Sequence, residues 1–519
     1  MPTGRTICGT FLAGAFLALA PAARPDVTLA SLFQEHAVLQ CGQAVPVWGW
    51  ADPGEAVTVR FGGQTHATVA AADGRWQVRL DPLPASVEPA ELVATGKSTL
   101  RIGDVLVGEV WLCAGQSNMV FPVNPPKTVN FHLDHQEEET AAARHPRIRN
   151  FHVGPVVTER PAGKVAGHWA VCAPEVMHEF TAAGYFFARE IQGCLGVPVG
   201  IIESSWGGTP IEPWLSAEAL AADPAFAMVA ERWSRTLAEY PEKKAAYDVA
   251  QAAWLKAEGA AISAGPAAQA EFLKSNPRNY APRGPGNPWT PAALYKGMIA
   301  PLVPYGLRGV LWYQGESNTE RAGEYAALFT AMIGQWRRAW GQGDFPFYFV
   351  QIANYKATDR TGRQWAFLRE AQSRALALPA TGMVVTIDIG NPLNIHPGNK
   401  QEVGRRLARL ALAQAYGQGG ESSGPVFRAA LTDGAALRVR FAHSEGLQAR
   451  AGRLASFEVA GADRIFHPAE ARVEGEDVLV ASPEVLAPVA VRYAWSNNPE
   501  SSLANRAGLP ASPFRSDLW

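Results

Sequence analysis

Between Val105 and Tyr416 the chain alternates short, almost wholly apolar runs with longer amphipathic stretches. That alternation narrows the choice of fold more than any other feature. The apolar runs are Gly108–Ala114, Val197–Glu203, Gly309–Tyr313, Phe347–Ile352 and Met383–Ile389. Runs this short with so little polar relief suit strands covered on both faces, as in parallel sheets. The stretches between them, Thr181–Gln192, Glu324–Trp340, Gln364–Leu378 and Lys400–Tyr416, carry helical spacing. Strand and helix in turn predict a parallel α/β sheet, in which ligands sit beyond the carboxyl ends of the strands.

The flanks read differently. From residue 27 to 105, Val38-Leu39-Gln40, Val45–Trp50, Val57–Phe61 and Trp76–Leu80 are short strands separated by Asp52-Pro53-Gly54, Gly62-Gly63 and Asp73-Gly74. Turn chemistry at that spacing predicts an all-β, sandwich-like N-terminal domain. The α/β domain then covers 106–424, and Leu437–Phe441, Phe457–Val459, Val478–Val480 and Val489–Tyr493 predict a C-terminal β region over 425–519. Inside the α/β domain, Ser216–Ala264 is rich in Ala, Glu and Lys, with Trp233 and Trp254, and reads as an inserted helical hairpin. A Pro- and Gly-rich loop over 275–291 follows, so the insertion spans about 216–290.

Arg5, the apolar run Ile7–Ala20 and the small residues Ala20 and Ala22 form a signal peptide over 1–22, too short to span a bilayer. The expectation is an exported, periplasmic or extracellular chain with no membrane span. A formal net charge of −2 and the lack of any Lys/Arg-rich run argue against nucleic-acid partners. Of five cysteines, Cys8 falls in the leader; Cys41, Cys113, Cys172 and Cys194 leave both one disulfide and buried free thiols open.

Four motifs follow predicted strands. Gly115-Gln116-Ser117-Asn118-Met119 places a serine on a tight strand-to-loop turn, where its hydroxyl is exposed beside backbone N–H groups. The same serine also reads as a helix cap. Ser204–Thr209 contains the Gly207-Gly208 pair, which lets a backbone N–H approach a developing negative charge. Trp312–Asn318 offers the Asn318 amide and the Glu316 carboxylate, and Asp388–Lys400 carries His396 between a strand and a helix. A histidine there can deprotonate a hydroxyl presented by another strand end. His132, His135 and Glu137–Glu139 read as a solvated helix face rather than a metal cluster, and Gly341–Gly343 is too isolated for a phosphate loop.

Gly115–Met119, Trp206–Trp214, Leu294–Pro301, Trp312–Asn318 and Ile395–Leu407, with Val38-Leu39-Gln40, Val47–Trp50 and Gly508–Phe514, together resemble the sialate O-acetylesterase family of SGNH (GDSL-like) hydrolases. The resemblance implies a flavodoxin-like α/β/α core and serine-dependent removal of O-acetyl groups from sugars, with water as co-substrate and no metal or other cofactor. Carried over by motif, Ser117 is the nucleophile and His396 the base and then acid. The Ser117 N–H, Gly208 and Asn318 form the oxyanion hole. Many SGNH enzymes carry Asp three residues before the histidine, where this chain has Leu393. Glu316 is then the first choice to orient His396, with Asp388 and a backbone carbonyl the others. The substrate reading is 9-O-acetyl sialic acid, with acetylxylan or another plant polysaccharide as the alternative. Arg278, Arg283 and Lys296 are the candidates for reading a carboxylate. The competing non-enzyme reading is a carbohydrate-binding protein.

Overall fold

The computed structural model describes residues 27–519, so the leader at 1–22 lies outside the described residues. At its centre is a sheet whose path runs Trp169–Cys172, His145–His152, Val199–Ser205, Thr99–Gly115, Gly309–Tyr313, Phe347–Val350, Thr381–Val384. All neighbours on that path are parallel except the edge pair Trp169–Cys172 with His145–His152. The order reverses at Thr99–Gly115: Val199–Ser205 lies on one side and the three later strands fan out on the other. With the His145–His152 and Trp169–Cys172 strands set aside as additions, this is the doubly wound, flavodoxin-like order, whose crevice opens where the winding changes direction.

Both faces of the sheet are covered. Trp111, Cys113, Leu311, Tyr313 and Tyr348 point into one core with Phe187 and Leu407, from the helices Ala182–Leu195 and Lys400–Gln414. Their neighbours Val110, Leu112, Val310, Trp312 and Phe347 point into the other, against Phe329 and Trp336 of Ala322–Trp340 and Leu368 of Gln364–Ser373. Two-sided burial is why these strands read as continuous apolar runs rather than as alternating ones.

The strand Thr99–Gly115 is 17 residues long and serves two neighbourhoods. Its first part pairs antiparallel with Ser86–Thr95 in the N-terminal β region. From Glu109 onward it pairs parallel with Val199–Ser205 and Gly309–Tyr313. The strand therefore spans the boundary expected at 105/106, with a bend at Asp104, where φ is +48° and the antiparallel pairing shifts register. Buried Glu109 fastens it midway: the carboxylate accepts from Arg308 Nε at 2.7 Å and Nη2 at 2.9 Å, Gln40 at 3.1 Å and Tyr416 at 3.0 Å.

Other elements depart from expectation in specific ways. The strand expected over Met383–Ile389 ends at Val384, and that over Phe347–Ile352 ends at Val350. The insertion is not a hairpin within 216–264. After a short helix Ala217–Ala222, one 37-residue helix, Ala227–Ser263, runs to Gly265, where a φ of +109° breaks it, and only then does Pro266–Ser275 fold back. His145–His152 and Trp169–Cys172 are strands that the sequence reading does not contain: the first mixes Arg147, Arg149 and Asn150 with its apolar residues, and the second is only four residues long at the sheet edge. The C-terminal region forms two four-stranded antiparallel sheets. Cys41, Cys113 and Cys172 are buried free thiols and Cys194 an exposed one. Among the described residues no helix is long and apolar enough to cross a membrane.

Candidate active site

The winding switch brings the ends of three strands together. Gly115 closes the central one with a φ of +144°, and a Cβ there would lie 2.2 Å from the Tyr313 carbonyl oxygen. Only glycine lets the neighbouring strand approach so closely. Gln116 ties the two ends: its Oε1 accepts from Gln314 Nε2 at 3.2 Å and from the N–H groups of Gly315 and Ser317 at 3.3 Å. On the other flank the Trp206 N–H donates to the Gly115 carbonyl at 3.0 Å. Ser117 follows as the first residue of a one-turn helix, Ser117–Val120.

Ser117 Oγ lies 2.8 Å from Nε2 of His396, a residue 279 positions away in sequence. The imidazole packs edge-on against Phe131, with centroids 4.8 Å apart, and its backbone N–H is held by Asn394 Oδ1 at 2.9 Å. Burial and the nearby Lys400 ammonium push the imidazole down to about 4, so the ring is neutral at ordinary pH.

The Gly207-Gly208 turn runs beside the serine. A Cβ on Gly207 would stand 3.5 Å from Ser117 Cβ, so Gly207 is the glycine of the pair that faces the Ser117 side chain. Gly208 has a φ of +72° and open space around it, and its carbonyl accepts from Trp289 Nε1 at 2.8 Å. The N–H groups of Ser117, Gly207 and Gly208 donate to none of the described residues. Asn318 is buried, its Oδ1 accepting from the Ile211 N–H at 2.9 Å and Gln314 Nε2 at 2.8 Å. Its Nδ2 therefore faces Glu212, 3.0 Å away. Glu212 in turn is paired with Arg232 at 3.1 Å and Arg321 at 3.3 Å.

Neither candidate carboxylate bonds to the imidazole. Glu316 is buried, and its Oε1 accepts from Asn118 Nδ2 at 2.6 Å while Oε2 has no partner. Burial pushes its carboxyl up. Asp388 is occupied by Arg406 at 2.7 Å and Arg450 at 2.5 Å. Among the described residues none accepts a hydrogen bond from His396 Nδ1. Leu393 is 87% exposed and points away from any such role.

Sequence reasoning passed over two residues here. Lys400, fully buried, sends Nζ to Asn118 Oδ1 at 2.7 Å and to the Pro397 carbonyl at 2.8 Å. Asn118 also donates to the Ile395 carbonyl at 3.1 Å. Burial pushes the Lys400 ammonium down to about 7, against the pull of Glu316 and Asp134. The one available signal was that Lys400 lies four residues after His396 in the same strand-to-helix segment.

The other candidates are scattered. Arg278 stacks on Trp254 of the insertion and Lys296 donates to the Glu159 carbonyl, whereas Arg283 lies over Trp289, next to Gly208. His135 pairs with Glu138 on the exposed helix Gln136–Ala142. Among the described residues no group of three or more His, Cys, Asp or Glu side chains is arranged to hold a metal ion.

Comparison with known proteins places the chain in a family. Residues 286–413, which hold Asn318, His396 and Lys400, match the family model for a carbohydrate esterase, sialic acid-specific acetylesterase. The mouse sialate O-acetylesterase is 30% identical over 535 residues, covering 93% of both chains. The chain belongs to the sialate O-acetylesterase family. The rat sialate O-acetylesterase is 32% identical over 427 residues, 75% of this chain and 73% of that one. The crystal structure of a carbohydrate acetylesterase from Xanthomonas citri superposes with a TM-score of 0.79 at 39% identity, covering 95% of this chain and 100% of that one. The protein is thus an esterase of the sialate O-acetylesterase family built on an α/β core.

Proposed function

We propose that this esterase is exported and removes O-acetyl groups from sugars through an acetyl-serine intermediate on Ser117. The observation that carries the reading is the 2.8 Å contact between Ser117 Oγ and His396 Nε2, at a strand end where the N–H groups of Ser117, Gly207 and Gly208 have no acceptor among the described residues. His396 Nε2 takes the Ser117 proton as Oγ attacks the acetyl carbonyl carbon. The oxyanion is received by the N–H groups of Ser117 and Gly208 and by the Nδ2–H of Asn318. The tetrahedral adduct collapses, and the sugar oxygen leaves with the proton from His396. Water then gives a proton to His396 as its oxygen attacks the acetyl carbon. Acetate departs and Ser117 recovers its proton. A base that is neutral down to about pH 4 is ready for both half-reactions.

Glu316 acts on the site through Asn118 in this reading, since its carboxylate bonds to that amide. The substrate class is an O-acetylated sugar, with O-acetylated sialic acid first on the strength of the relatives' names, its 9-O-acetyl form coming from the family resemblance, and acetylated xylan as the alternative. Export rests on the apolar segment Ile7–Ala20 and its Ala20/Ala22 cleavage pattern.

The test is acetate release from 9-O-acetyl sialic acid and from acetylated xylo-oligosaccharides, by wild type and Ser117→Ala. The serine variant is expected to lose at least about 10⁴-fold in kcat while keeping its fold. A Ser117→Ala protein within tenfold of wild type would end the serine reading. The faster of the two substrates decides between the sialate and plant-polysaccharide readings. N-terminal sequencing of protein recovered outside the cytoplasm, starting at Ala23, checks export.

A further inference from the structure

We infer that Lys400 is a positioning residue for the Ser117–His396 pair, fixing the backbone on both sides of the base where no carboxylate holds His396 Nδ1; this rests on the serine reading above. The hydrogen bonds define the argument. An ammonium only donates, so the Asn118 oxygen must be the atom facing Lys400. The amide's two hydrogens are thereby aimed at Glu316 Oε1, 2.6 Å away, and at the Ile395 carbonyl, 3.1 Å away. Asn118 is the residue after the nucleophile, and Ile395 the residue before the base. A second Lys400 bond holds the Pro397 carbonyl, the residue after the base, at 2.8 Å. One side chain thus fastens the nucleophile turn and both sides of His396.

A second route reaches the imidazole ring itself. The Lys400 ammonium lies 4.8 Å from the centre of the Phe121 ring. Phe121 stacks on Phe131 at 4.6 Å, and Phe131 meets His396 edge-on at 4.8 Å. A cation over a ring face, a stacked pair and an edge contact each favour a defined geometry. The opposite side of the ammonium meets Tyr313, 5.4 Å away. No helix-surface lysine would be buried in this way without such partners, because an isolated ammonium in an apolar site is costly.

The charge adds a consequence that a purely structural lysine would not have. The charged groups acting on Lys400 are Glu316 and Asp134, and the charged group acting on His396 is Lys400. Removing the ammonium should therefore let His396 protonate at higher pH, while removing Asn118 should leave that effect in place.

Lys400→Met and Asn118→Ala are compared with wild type and Ser117→Ala, following kcat, KM and the pH dependence of kcat/KM, with circular dichroism for folding. Lys400→Met is expected to lower kcat about 100-fold with KM within threefold, and to move the acid limb up by about one pH unit. Asn118→Ala is expected to lower kcat at least tenfold and leave the acid limb in place. A folded Lys400→Met protein with kcat within threefold of wild type and an unmoved acid limb overturns the proposal. Should Lys400→Met fail to fold, Asn118→Ala decides, and kcat within threefold of wild type overturns it. Turnover that survives in Ser117→Ala would instead remove the serine reading, whatever the lysine variant does.

Discussion

Of the 37 residues in the insertion helix Ala227–Ser263 only Val229 is buried, whereas Gln116, Asn118, Gln314, Asn318 and Lys400 are all buried polar side chains gathered at neighbouring strand ends. The insertion is held by surface pairs one helical turn apart, such as Lys243 with Glu239 and Lys244 with Asp248. Such pairs are screened and replaceable. At the strand ends each donor has a specific acceptor, and the low local dielectric makes an orphaned partner expensive. The two regions therefore fail differently. Beyond Arg232, which reaches Glu212 and Glu324, a change in the insertion helix is absorbed by solvent, while a change at the strand ends propagates from one amide to the next.

The sharpest separation is expected from Asn318→Ala. It removes a donor proposed for the oxyanion and leaves Glu212 and Gln314 short of a partner, so kcat should fall about 10²–10³-fold, some 3–4 kcal/mol, in an acetate-release assay. A loss below tenfold would mean that the Asn318 amide serves the fold alone. Next, Asp388→Asn should lower stability by about 1.5–3 kcal/mol in urea unfolding, because Arg406 and Arg450 lose charged partners, with the pH profile unchanged. A shifted profile would return Asp388 to the imidazole. On pH, protonation of His396 would remove the proposed base. Thus kcat/KM should be level above about pH 4 and fall tenfold per unit below it, rather than near the ordinary histidine value of about 6.5. The smallest effect belongs to the insertion. Val249, 74% exposed, should tolerate substitution by alanine within about 0.5 kcal/mol and without change in kcat. A larger loss would show that the insertion packs on something in solution.

The same contrast explains what the sequence disclosed. The central parallel strands were legible because burial on both faces leaves mostly apolar residues, as in Gly309–Tyr313, whose bounds match. The helix Ala227–Ser263 was misjudged as two because it lacks an apolar stripe to mark its length, and Pro241 inside it does not end it. Ser117 and His396 could be named from their motifs, but their meeting depends on strand order, which no local pattern encodes. Glu316 was the first choice to orient the histidine, yet its carboxylate bonds to Asn118, a preference set by the fold around it. Lys400 was hidden because a lysine in the first turn of a helix reads as solvated. Its burial comes from Phe121 and Tyr313, on other segments.

The long strand Thr99–Gly115 has a mechanical consequence. A stretching force applied through the antiparallel neighbour Ser86–Thr95 would first meet Asp104, whose φ of +48° bends the strand, and only then the parallel half that ends at Gly115. The Glu109 clamp, shared with Arg308, Gln40 and Tyr416, would take part of that tension before it reached the serine turn. The N-terminal strands are in that sense a damped handle on the serine turn, with the bend and the clamp in series between them.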